Sequence, residues 1–162
     1  MNFSCGCLFD KKVKEPHFKK SAHFEDLSAS FAINAKNEQL GAHYSWLVQL
    51  HKPFQSKAYI EATFEDPTHP SDPIVVPAIQ LQPEPPETFE HPRYYFLSPA
   101  LGALDCKLYD IKITAYKDKT RQQVLTEHKN QLLSRINSDS CVKSEFIEKM
   151  RAAASYADWQ EN

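Results

Sequence analysis

From about residue 28 onward the chain alternates apolar and polar residues with a period of two. That spacing puts every second side chain on one face of an extended strand, so it commits the chain to sheets that bury a single face. In Tyr44, Trp46, Val48 and Leu50 the even positions are apolar, while Ser45 and Gln49 point the other way. Ala58, Ile60, Ala62 and Phe64 repeat the pattern around Lys57, Tyr59, Glu61 and Thr63. Tyr109, Ile111, Ile113 and Ala115 do so again against Asp110, Lys112 and Thr114. Ser28 to Ala35, Pro73 to Gln80 and Arg93 to Leu97 are further strand candidates, and Val124 to Ile136 reads as a long final strand. Pro77 interrupts the Pro73 to Gln80 run and predicts an edge strand or a bulge there, because proline cannot donate to a ladder.

The connections carry the prolines. Asp66 to Asp72 and Gln82 to Pro92 read as loops, and the polar Lys117 to Gln122 segment predicts an antiparallel hairpin between strands 107 to 116 and 123 to 135. About seven short strands, each with one apolar face and no long helix between them, predict an antiparallel β-sandwich, immunoglobulin-like or C2-like in architecture. Trp46 has no upstream strand cysteine, so the antibody-type cysteine and tryptophan signature is missing. After the strands, Asp139 or Ser140 caps an expected helix from Val142 to Ala154, with Val142, Phe146, Met150 and Ala153 on one face and Trp159 beyond it. The domain organisation expected is a flexible tail over 1–25, a sandwich over 26–137, and a C-terminal helix and tail over 138–162.

Composition excludes several functions. A chain of 162 residues supports one core, and no stretch is apolar for long enough to cross a bilayer. Lys plus Arg at 19 against Asp plus Glu at 21 offers no net attraction for nucleic acid, which is not expected as a partner. With only three glycines, Gly6, Gly41 and Gly102, glycine-built phosphate cradles and nucleophile elbows are largely excluded.

The four cysteines, Cys5, Cys7, Cys106 and Cys141, lack the paired spacing of a zinc site or a disulfide framework. The first nine residues reach Asp10 without the apolar core of a secretory signal, so the compartment is read as reducing and the cysteines as thiols. The Asn2-Phe3-Ser4 sequon then reads as a chance match. The opening MNFSCGCLFDKKVKEPHFKK sets Cys5 and Cys7 among Phe3, Leu8 and Phe9, ahead of Lys11, Lys12, Lys14, Lys19 and Lys20. Two thioester-linked chains plus a basic segment would satisfy the two-signal requirement for stable membrane attachment. Over about twelve residues this order resembles the N-terminal CxC, apolar, Lys-Lys segment of palmitoylated scaffold proteins. The resemblance implies lipid attachment at Cys5 and Cys7. Residue 2 is Asn, so myristoylation is not expected.

Catalytic and metal chemistry find little support. His17, His23, His43, His51, His69, His91 and His128 form no HExxH, HxH or HxxxH pair, and no serine lies in GxSxG. Cys106 opens a strand, where burial as a small hydrophobe is its usual fate, and Cys141 reads as a plain thiol. Glu65, Asp66 and Asp72 invite comparison with calcium-binding loops, to which Asp118 would add a ligand if both turns met at one end of the sandwich. The run of Pro83, Pro85 and Pro86 is flanked by Glu84, Glu87 and Glu90, which suits a rigid loop rather than a ligand of proline-recognising domains.

The expected function is therefore a non-enzymatic adaptor, needing no cofactor or metal. It would be held at the cytosolic face of a membrane by S-acylation at Cys5 and Cys7, with Lys11, Lys12, Lys14, Lys19 and Lys20 contacting the lipid surface, and would bind a protein partner. One alternative is a C2-like domain binding phospholipid headgroups directly. Another is a soluble enzyme or small-ligand carrier with a site between the sheets.

Overall fold

The computed structural model describes Cys7, residues 15–36 and residues 39–137. The described chain is all β, with strands β1 (Phe24–Lys36), β2 (Gln39–Leu50), β3 (Ala58–Phe64), β4 (Ile74–Leu81), β5 (Arg93–Leu97), β6 (Leu108–Tyr116) and β7 (Val124–Leu133). A single 3₁₀ turn at Pro86–Thr88 interrupts the proline loop between β4 and β5. The strands form two antiparallel sheets in the orders β1-β2-β5 and β4-β3-β6-β7. The expected hairpin joins β6 to β7. The expected helix from Val142 to Ala154 lies outside the described residues.

Alternation explains which faces meet. Tyr44, Trp46 and Val48 of β2, Ile60 and Phe64 of β3, and Ile111 and Ile113 of β6 are all fully buried. Tyr44 stacks on Phe64 with ring centroids 4.8 Å apart, Trp46 meets Phe64 edge-on at 6.3 Å, and Phe31 of β1 meets Tyr109 of β6 edge-on at 5.8 Å. These contacts join one sheet to the other, so the arrangement is sandwich-like with its core between the sheets.

Two bulges refine the pattern. In β1 the register shifts between Asp26 and Ser28, so that Leu27 is extra. Phe24 and Asp26 therefore face inward on even positions, and Ala29, Phe31 and Ile33 on odd ones. Pro77 predicted an edge strand or a bulge, and β4 has both: it lies at a sheet edge, and its pairing with β3 shifts between Ile79 and Val76.

The reading of the cysteines as thiols does not hold for two of them. Cys7 is bonded to Cys106 across 99 residues of sequence, with Cα atoms 5.6 Å apart. Cys106 is half-buried in the turn before β6, rather than sunk in the core as a small hydrophobe. His17, Lys19 and Ser21 are hydrogen bonded to β7, and β1 begins at Phe24, inside the span expected to be tail.

Candidate functional site

The most elaborate polar constellation is where the N-terminal segment meets β7. An edge strand leaves a row of unpaired backbone groups, and here the chain before β1 covers part of that row. Lys19 and Lys129 exchange both backbone hydrogen bonds, at 3.2 and 2.7 Å. The His17 N–H donates to Gln131 Oε1 at 2.6 Å, and the Cys7 N–H donates to Arg135 O at 3.0 Å. The Cys7–Cys106 bond fixes the far end of this segment covalently.

Beneath it lies a buried network that joins both sheets. His128 of β7 is fully buried, and its Nδ1 faces the Ser21 N–H at 3.0 Å. Nδ1 is thus the acceptor, which leaves the ring proton on Nε2, where it is donated to Asp26 Oδ1 at 3.0 Å. The same Asp26 oxygen accepts the Trp46 indole N–H at 2.7 Å, and its partner oxygen pairs with Lys20 and receives the Asn130 side-chain amide at 3.4 Å. Trp46 also stacks on His128, with centroids 5.8 Å apart. Burial would raise the Asp26 pKa, but hydrogen bonds from His128, Lys20 and the Trp46 indole outweigh it and hold the carboxyl well below the usual range.

This histidine and aspartate do not form a hydrolytic triad. Both ring nitrogens are committed, and Ser21 Oγ pairs instead with Thr126 Oγ1 at 2.8 Å while accepting the His23 N–H at 3.1 Å. With no free ring nitrogen beside a nucleophile, the network is a structural clasp. No sequence motif surrounds Asp26 or His128, so neither stands out as a site residue before the fold brings them together.

The lysines divide in two. Lys11, Lys12 and Lys14, like Cys5, lie outside the described residues. Lys19 pairs with Glu127 at 3.6 Å, and Lys20 pairs with Asp26 and lies over the Phe18 ring. Both are thus partly engaged within the protein, although Lys19 remains largely exposed.

The calcium reading fails on topology. Antiparallel pairing sets Phe64 opposite Ile111 and Tyr59 opposite Tyr116. The loop after β3, with Asp66 and Asp72, and the turn after β6, with Asp118, therefore leave opposite ends of the sheet. Asp66 Oδ1 accepts the Thr68 N–H and hydroxyl, both at 3.0 Å, and Asp118 Oδ1 accepts the Thr120 N–H at 2.9 Å, so each closes its own turn. Among the described residues no group of three or more His, Cys, Asp or Glu side chains is placed to hold a metal ion.

A cleft of about 400 Å³ opens on the outer face of the four-stranded sheet, lined among others by Glu65, Asp110, Lys112, Lys129 and Gln131. Most of these groups satisfy one another or close neighbours. Glu65 pairs with Lys107 at 2.9 Å, Asp110 accepts the Gln131 side-chain amide at 2.5 Å, and Lys129 pairs with Glu127 at 3.5 Å. The space between the sheets, where a carrier would hold its ligand, is filled by the aromatic core.

On the opposite side of the molecule, the outer face of the three-stranded sheet presents Tyr95 and Leu97 of β5, 57% and 48% exposed. Half-buried Leu47 of β2 lies directly opposite Tyr95 in the ladder. No helix among the described residues is long and apolar enough to cross a membrane. The chain matches no known family model, no curated protein and no solved structure.

Proposed function

We propose that this protein is a non-enzymatic adaptor of immunoglobulin-like architecture, tethered to the cytosolic face of a membrane by S-acylation at Cys5 and, when the Cys7–Cys106 bond is reduced, at Cys7. The observation that carries the adaptor reading is a small apolar patch on the outer face of the three-stranded sheet, where Tyr95 and Leu97 of the edge strand β5 are exposed beside half-buried Leu47 and the Tyr95 hydroxyl is held by Ser45 at 2.7 Å. A sheet face of this kind suits docking of a partner's apolar side chains.

Strand order supports the immunoglobulin-like alternative. Lettered A to G in chain order, the strands group as ABE and DCFG, with the fourth strand beside the third instead of on the first sheet as in antibody constant domains. Tyr109, near the start of β6, accepts the Asp105 N–H at 2.8 Å, four residues upstream. This resembles the tyrosine corner of such domains. Trp46 departs from the antibody pattern, being on the second strand rather than the third.

The membrane reading rests on the Cys5 and Cys7 pair and the basic residues that follow. A clickable palmitate analogue tests it: label is expected on the full chain in cells, removed by hydroxylamine and absent from a Cys5→Ser/Cys7→Ser double variant. An unlabelled wild type would end that reading. For the adaptor, proximity labelling with a C-terminal tag should recover a partner from wild type and lose it in a Tyr95→Ser/Leu97→Ser variant. An unchanged profile would reject this face.

A further inference from the structure

We propose that Cys7 is a redox-gated attachment site, in which pairing with Cys106 withholds one of the two acyl acceptors and reduction returns it. The inference rests on the S-acylation reading above and deepens it.

Its starting point is that the two chemistries exclude each other at one sulfur. A thioester needs the Cys7 thiol, whereas the structure has that sulfur bonded to Cys106. The pairing is built into the fold: the Cys7 N–H is hydrogen bonded to Arg135 O, just past the end of β7, and Cys106 lies in the turn that leads into β6, the strand beside β7. Both cysteines are only half-buried, which leaves the bond open to attack by a small thiol. Inside a cell a disulfide of this sort is characteristically transient and regulatory.

The chemistry balances with glutathione as the exchange partner. Two thiols and one glutathione disulfide give the Cys7–Cys106 disulfide and two glutathione molecules, and excess glutathione reverses the exchange. Once free, the Cys7 thiolate attacks the carbonyl of an acyl coenzyme A, forming the thioester and releasing coenzyme A as the thiol. In the oxidised protein Cys5 alone remains of the CxC pair. One acyl chain holds a protein only reversibly and two hold it stably, so the redox state sets membrane residence.

The test uses the purified full chain made in bacteria, equilibrated in oxidising or reducing glutathione buffer, then incubated with palmitoyl coenzyme A and anionic vesicles. Peptide mass mapping without reductant locates each modification. In the oxidising buffer we expect the Cys7 peptide linked to the Cys106 peptide and palmitate on Cys5; in the reducing buffer, palmitate on both. Vesicle-bound protein should rise at least about tenfold on reduction, as expected for a second chain. A Cys106→Ser variant should accept palmitate at Cys7 in the buffer that blocks the wild type. Failure of Cys7 to pair with Cys106, or palmitate on Cys7 irrespective of buffer, overturns the gate and leaves the S-acylation reading standing. Absence of palmitate from both Cys5 and Cys7 in every buffer removes that reading, and the gate with it, even where mapping still finds the disulfide.

Discussion

The Asp26 carboxylate and the His128 imidazole meet at 3.0 Å between the two sheets, although 102 residues separate them in sequence. Asp26 reaches that position because the bulge at Leu27 keeps it on the inward parity of β1, and His128 because β7 closes the far sheet beside the N-terminal segment. Removing the carboxylate strands the His128 N–H and the Trp46 indole N–H together. We expect Asp26→Ala to cost about 2–3 kcal/mol of unfolding free energy. In a double-mutant cycle Asp26→Ala and His128→Ala should couple by about 1 kcal/mol or more, read from urea midpoints at constant slope. Strict additivity would mean that the two do not act together.

Acid should act through the same carboxyl. The Asp26 pKa is held below its ordinary value of 3.8, so its contribution is complete above that value and is lost as pH falls through the lower, folded-state value. An Asp26→Asn variant should lose less stability than wild type between pH 4 and strong acid. Chemical denaturation across that range would show the flattened limb.

Reducing the Cys7–Cys106 bond releases a cross-link spanning 99 residues of sequence. Its loss should cost about 2–4 kcal/mol, on the view that the cross-link limits the unfolded chain. Thermal melts with and without a phosphine reductant should separate for wild type and coincide for Cys106→Ser.

Phe64 packs in the core against both Tyr44 and Trp46. Phe64→Ala should destabilise by about 3–5 kcal/mol, since truncation leaves a cavity that two rings bordering it cannot fill. A loss under about 1 kcal/mol would mean that the sheets close up around the gap.

At the β6–β7 turn, Arg121 adopts a left-handed backbone with φ of 61°. Its guanidinium pairs with the buried Glu61 and lies over the Tyr59 ring at 5.5 Å. Arg121→Gly relieves the backbone but abandons Glu61, whereas Arg121→Ala suffers on both counts. Both variants should melt below wild type, and the alanine variant lowest. The order of the three midpoints checks the argument.

Much of the fold was legible because alternation is a local signal. The runs at 58–64 and 93–97 coincide with β3 and β5, and Pro77 announced an edge or a bulge where β4 has both. The candidate site was less legible. Cys106 looked like a core thiol because nothing near it in sequence announces Cys7. Asp118 looked available to Asp66 because turn residues do not reveal at which end of a sheet they emerge.

By itself, the sequence determined the inward faces of β2, β3 and β6 and the proline loops, because side-chain parity and ring geometry act within a few residues. Tertiary structure alone decided that Cys7 meets Cys106, that Asp26 meets His128, and that the Asp66 and Asp118 turns lie apart. Those relationships depend on which strands become neighbours, and that choice is made by burying all the apolar faces at once rather than by any one segment.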